Sequence, residues 1–366
     1  MPTSEKILDG IACGHTNRDI DHSTAFRIAR AMSQIGYITM AVVFGVTQVL
    51  ATPLFDDSDA IDVMISGPIG TLINDKKARK ELPFILKAAG VEHQIEIRLR
   101  GHSRLGVCKF PPLRLDFRNS AIAETVFAGQ EVLKLVTHCR HYDLGEQDML
   151  EEFAAYQIFN VLTDVSFRVR LLHISYADTD GELSAKSALR YGFLIEPGEQ
   201  LAERIGAARV SLQSVPKNRH DKEHAALVYV FQYLIGNTDW GFVKADYDDI
   251  CCHNGELFER GSQVLFVPYD FDVSGLVNAR YASPHPALPI KRLTQRYYRG
   301  VCTEREILQA ALHKIKSRKD DIFAVLQGIP GLSEDSIETA EAFLISFFKA
   351  AEDEDKLLSS FERRCS

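Results

Sequence analysis

The residues best suited to chemistry in this chain are acids and amides placed at the ends of apolar runs. Gly236-Asn237-Thr238-Asp239-Trp240 closes the apolar stretch that begins near residue 222. His253-Asn254 ends a polar loop, and Asp270-Phe271-Asp272-Val273-Ser274-Gly275 follows the run QVLFVPY at 263–269. A buried element that ends in a carboxylate fixes the side chain while leaving it open to a ligand. The set fits phosphoryl transfer, which needs a carboxylate beside the attacking hydroxyl and an Asp/Asn set holding magnesium on the phosphates. Asp239 is then the base or hydroxyl-orienting residue. Asn254, Asp270 and Asp272 offer the hard oxygen ligands magnesium prefers. Singly, each Asp reads as a cap or turn residue; three motifs in this order point to a site. A metal-dependent hydrolase built on Asp239, His253, Asp270 and Asp272 is the competing chemistry. A non-catalytic scaffold is the competing class.

These groups need elements to hold them. KEHAALVYVFQYLIGN (222–237) is apolar nearly all round and predicts a buried helix ahead of Asp239. The run 263–269 predicts a core strand ahead of Asp270. Upstream, residues 60–195 are rich in strand-like runs: IDVMISGP (61–68), HQIEIRLRG (93–101), FPPLRLDFR (110–118), VLKLVTHC (132–139), and an antiparallel pair FRVRLLHISYAD (167–178) and RYGFLIE (190–196). One helix, 146–163, interrupts them. From about 198 the chain reads as mainly helical, with amphipathic helices over 304–327 and 333–364, the latter capped at Ser333. Strands first and helices afterwards argue for α+β over alternating α/β.

GNTDW, HN and VPYDFDVSG, in this order, resemble the C-lobe core of the CotH spore-coat kinases and, more remotely, that of the HipA-type kinases. Arg100-Gly101-His102-Ser103-Arg104 resembles the Arg-Gly-Asn-Ser signature of that family, and CKFPPLRLDF (108–117) lies where it has a Lys-rich strand. FLIE, ending at Glu196, resembles the segment closing its N-lobe. The likeness covers about residues 95–280. It implies a bilobal atypical protein-kinase-like fold, with a strand-rich N-lobe at 55–197 and a helical C-lobe at 198–366. It implies Mg2+ and ATP as cofactors, and a protein or small-molecule hydroxyl as acceptor. Asp239 takes the catalytic role, Asn254 and Asp270 hold metal, and Asp272 helps. The phosphate-binding cation comes from Lys109, Arg114 or Lys134, three open alternatives. Glu196 pairs with that cation or is a surface acid. Arg100 and Arg104 orient phosphates or form surface ion pairs. Neither G-x-G-x-x-G nor a P-loop is present. The wide spacing of Asp239 and Asn254 makes the intervening loop, with Asp246, Asp248 and Asp249, bulge outward, and leaves room for a pseudokinase. YASPHPALPIKRLTQRYYRG (281–300) reads as a substrate-contacting surface or as a connector.

The bulk numbers set the frame. With 366 residues, 25% charged and 46% hydrophobic, the chain is an ordinary globular sequence. A net charge of -8 weighs against a nucleic-acid partner bound by phosphate neutralisation. No Asp, Glu, Lys or Arg occurs between Arg30 and Asp56, and Ile35–Val46 is apolar, followed by Val49-Leu50-Ala51. This pattern predicts a leader over 1–51 with a signal-peptide-like segment at 32–51, cleaved after Ala51. Export to a periplasm or exterior follows, with no stable membrane insertion once the leader is removed; anchoring by residues 32–53 is the alternative. Removing Cys13 turns seven cysteines into six, an even set compatible with disulfides, with Cys108–Cys139 the preferred pair and an adjacent Cys251–Cys252 bond disfavoured. Scattered His138, Cys139, His141 and His253 read as structural.

Overall fold

The structure, a computed structural model, describes residues 54–140, 143–181, 189–242 and 251–365. The leader segment, His141 and Asp246, Asp248 and Asp249 lie outside the described residues. Seven strands build the first part of the structure: β1 (Ile61–Gly67), β2 (Leu82–Ala88), β3 (Val91–Leu99), β4 (Leu113–Asp116), β5 (Val132–Val136), β6 (Val169–Asp178) and β7 (Leu189–Ile195). They close into a barrel in the order β1-β2-β3-β4-β5-β7-β6. Neighbours are antiparallel except at the seam, where β1 runs parallel to β6 with Val63 opposite Ile174. Ile65, Leu86, Ile97, Leu99, Leu115, Leu133 and Leu135 fill its interior. Alternate residues Arg98, Arg114 and Lys134 stand side by side on the outer face.

Helices α1 (Ile69–Asn74) and α2 (Ser103–Val107) are short connections, and α3 (Asp143–Leu162) fills the crossover from β5 to β6. After the barrel come α4 (Gly198–Arg204), strand β8 (Ala208–Val210) and α5 (Lys222–Leu234), with Asp221 capping α5 through His224 N. Strands β9 (Gly255–Arg260) and β10 (Gln263–Pro268) form a hairpin, to which β8 adds as an edge. Helices α6 (Arg305–Ser317), α7 (Lys319–Gly328), α8 (Glu334–Ala350) and α9 (Glu354–Glu362) complete the chain. These elements share a second core with one wall of the barrel. Strands β6 and β7 serve both cores: Leu172, Ile174 and Leu194 point into the barrel, while Leu171, Phe193 and Ile195 pack with α3 and α5. Burial on both faces accounts for the consecutive apolar residues Leu171-Leu172 and Phe193-Leu194-Ile195.

The expected bilobal kinase-like α+β fold is overturned by the closed barrel. Alternation shows which side of a strand is buried, but not that the first strand returns to pair with the sixth. Nor is the second half simply helical, since β8, β9 and β10 form its own sheet. The described cysteines pair as Cys108–Cys139, Cys251–Cys252 and Cys302–Cys365. The adjacent pair, expected to stay apart, is joined across a cis peptide that brings the two Cα atoms to 3.0 Å. Among the described residues no helix is long and apolar enough to cross a membrane.

Candidate functional site

Helix α5 ends at Leu234, and Gly236 turns the chain at a φ of 66° that favours glycine. A Cβ there would approach Phe343 to 2.8 Å. In the turn that follows, the Asp239 amide donates to Asn237 Oδ1 at 2.9 Å, aiming the Asp239 carboxylate outward. Two residues from the distant start of β9 receive it. His253 Nε2 lies 2.9 Å from Asp239 Oδ1, and Asn254 Nδ2 donates to Asp239 Oδ2 at 3.0 Å and to its carbonyl at 2.7 Å. Gly255 lies flat under Phe266, where a Cβ would come within 1.9 Å of the ring, so β9 and β10 meet closely at this end. There the Tyr269 amide donates to the Asn254 carbonyl at 3.0 Å and brings Asp270 alongside. Asp239, Asn254 and Tyr269 are thus joined by successive hydrogen bonds, and Asp270 is the next residue in the chain. Asn254 and Asp270 both have left-handed backbone, with φ of 50° and 63°. Such sparsely populated conformations persist where surrounding structure enforces them.

Behind Asp270 lies a buried ionic network. Arg104, on α2, binds Glu152 of α3 through two parallel bonds of 2.8 and 3.0 Å. It also contacts Asp270 and reaches Asp272 at 3.0 Å. The Tyr281 hydroxyl donates to Asp272 at 2.8 Å, and the Asp270 amide donates to Tyr156 Oη at 2.9 Å. One guanidinium therefore faces three carboxylates. Burial pushes the Glu152 and Asp272 carboxyls up, against the pull of Arg104. Burial works to lower the Arg104 pKa, yet the three acids together hold it well above its ordinary value. Asp239 behaves oppositely: burial would raise it, but the His253 and Asn254 bonds and the nearby Arg299 charge keep it below the usual carboxylate range.

No protein-family model matches the chain, and no curated protein matches it. The site is therefore read from its own geometry. Arg100, beside Asp270, forms no ion pair or side-chain hydrogen bond among the described residues, and burial lowers its pKa while Asp270 opposes. Lys134 projects from the barrel wall to Glu256 at 3.1 Å and over the Tyr269 ring, 5.4 Å from its centroid. The remaining sequence candidates stand elsewhere. Lys109 is exposed beside the Cys108–Cys139 bridge, with Lys76 as its charged neighbour. Arg114 pairs with Glu81 at 2.5 Å and Asp116 at 3.0 Å. Glu196 accepts from the Arg168 amide and binds Arg204 at 2.7 Å, in a separate cavity of about 380 Å³ lined by Arg168, Gln200 and Arg204.

Glu152, Tyr156, Tyr281 and Arg299 were not among the sequence candidates. Acids inside the apolar run of 146–163 flag Glu152 in retrospect, and Tyr281 and Arg299 lie in the extended segment 281–300. Metal fit follows from the donor set. Both Asn254 N–H bonds run to Asp239, which turns its amide oxygen away as an acceptor, and the Asp270 side chain is 36% exposed. Asp272 is engaged by Arg104 and Tyr281. Among the described residues no group of three or more His, Cys, Asp or Glu forms a metal cage. The residues suit an ion held by one or two protein oxygens together with phosphates, which is how magnesium is usually bound.

Proposed function

We propose that this chain transfers a phosphoryl group from Mg-ATP to a hydroxyl of a protein or small-molecule acceptor. The observation that carries the reading is the hydrogen-bonded succession Asp239–Asn254–Tyr269, ending at Asp270, with Arg100 beside it. The order of motifs shared with the CotH kinases adds to it; the fold does not. Asp239, kept ionised by His253 and Asn254, orients the acceptor hydroxyl and takes its proton. The acceptor oxygen bonds to the γ-phosphorus as the bond to the β-phosphate oxygen breaks, and ADP leaves. Asn254 and Asp270 would hold magnesium, which when bound neutralises charge on the phosphates. Arg100 and Lys134 supply fixed positive charge to the same anion. The disulfides suit an oxidising compartment and hence an exported protein.

The His253–Asp239 contact favours, as a second reading, acid–base hydrolysis at the same carboxylate. One experiment separates the two. ATP with magnesium should raise the melting temperature of the wild type, and Asp270→Asn should abolish that shift. Asp239→Asn should keep the shift and lose transfer to acceptor. Absence of any nucleotide stabilisation in the wild type would remove the phosphotransfer reading.

A further inference from the structure

In a chain of net charge -8, most arginines find an acid. Arg79, Arg100 and Arg140 are scattered exceptions among the described residues, and five more lie at 292–299 and 363–364. Among the described residues Arg292, Arg296, Arg299, Arg363 and Arg364 form no salt bridge, while their neighbours Arg280 and Arg305 do. Arg296 is spent on uncharged acceptors: it donates to Leu234 O at 3.1 and 3.2 Å, to Phe343 O at 2.7 Å and to Ser346 Oγ at 2.7 Å, with its guanidinium 3.8 Å over the Phe343 ring. Arg299 donates to the carbonyl of Thr238, the residue before Asp239. Arg296 thus ties the segment to the end of α5 and to α8, and Arg299 ties it to the loop that carries Asp239. Arg364 lies over the Tyr297 ring, 5.3 Å from its centroid, and the Cys302–Cys365 bond fixes the tail that bears it. Arg299 and Arg364 remain exposed.

We propose that Arg299, Tyr297 and Arg364 form a cationic lip that binds the acceptor as an acidic peptide, with the target hydroxyl flanked by carboxylates. This rests on the phosphotransfer reading, whose acceptor it specifies. A hydroxyl in acidic sequence meets a difficulty at this site, because Asp239, Asp270 and Asp272 repel it. Arg299 stands next to Asp239 and offsets that repulsion where the acceptor must enter. Guanidinium groups bind carboxylates through paired, directed bonds, and two of them with a tyrosine face suit a short peptide. The lip is local and the rest of the molecule is acidic, which opposes long polyanions such as nucleic acid.

The test is binding, read apart from catalysis. Fluorescence anisotropy compares a serine peptide flanked by glutamates with one flanked by glutamines, at low and raised salt. The wild type should prefer the acidic peptide, and salt should erase the preference. Arg364→Gln and Arg299→Gln should each weaken acidic-peptide binding by about fivefold, leaving the glutamine peptide unaffected, as expected for exposed charge pairs. Lys87→Gln, on the far β2 strand, should change nothing. Equal binding of the two peptides, or an unaltered affinity in Arg364→Gln, overturns the proposal, and Arg364→Gln decides even if Arg299→Gln folds poorly. Single-stranded DNA bound more tightly at the same arginines also overturns it. Acidic-peptide binding without Mg-ATP-dependent transfer would sink the phosphotransfer reading alone. Transfer to both peptides at equal rate would sink the lip alone.

Discussion

At the scale of single residues, the decisive feature is the imbalance around Arg104. One buried cation compensates Glu152, Asp270 and Asp272 together. Removing it leaves acids stranded in a poorly solvated place, which costs far more than the pair itself contributes. Arg104→Met should lower unfolding stability by about 3–5 kcal/mol in urea titration. A loss below about 1 kcal/mol would mean that the network is solvated and weak. A neighbour gives a pH-dependent counterpart. Burial raises the Glu151 carboxyl to about 8 from an ordinary 4.5, only partly offset by a bond from Ser336. Between those values the folded chain keeps a proton that the unfolded chain has released, so this group makes stability fall as pH rises through the window. Below 4.5 both states are protonated and the penalty is absent. Glu151→Gln should therefore gain about 1–3 kcal/mol over wild type on going from acid to alkaline pH. Urea midpoints measured across that range check it, and parallel curves for the two proteins would rule it out.

Elements were legible where one face is wet. The strict alternation of β3 foretells Ile95, Ile97 and Leu99 inside and Glu96 and Arg98 outside, as the barrel has them. β2 escaped notice because Pro83 breaks its apolar run, although Phe84, Leu86 and Ala88 follow the same period. Helical periodicity found the C-terminal region but not its breaks. The stretch 304–327 divides at Arg318, and 333–364 divides before Asp353. Amphipathic patterns run through such short interruptions because the buried face continues on the next helix. At the second break Asp353 Oδ1 accepts from Lys356 N at 3.1 Å. Were the run one helix, Asp353→Ala would stabilise it, since alanine is the better helix former. As an N-cap, its loss should cost about 1 kcal/mol, read as a lower urea midpoint at unchanged m-value.

Over the whole molecule, sequence order gathers the candidate residues, while their long-range partners stay hidden. Asp239 and Asp270 could be gathered because each follows an apolar run, and Asn254 because it closes the polar loop between them. Arg104 could not be foreseen as the counter-ion of Asp270, because 166 positions separate the two. The barrel seam of β1 with β6 is hidden for the same reason, since pairing partners carry no local mark. Covalent ties act at this scale too. Cys302–Cys365 spans 63 positions and ties the segment before α6 to the tail after α9, enclosing four helices; Cys108–Cys139 spans 31. Cross-linking shrinks the unfolded ensemble and does so more for longer loops, giving a ceiling of about 4 kcal/mol for closures of this size. Replacing Cys302 and Cys365 together by serine should therefore lower stability by about 2–4 kcal/mol, and slightly more than replacing Cys108 and Cys139. The same pair of substitutions also frees the tail that carries Arg364, so acidic-peptide affinity should fall with it under conditions where the protein stays folded. Loss of stability with that affinity unchanged would show that the tail keeps its place over Tyr297 by packing alone.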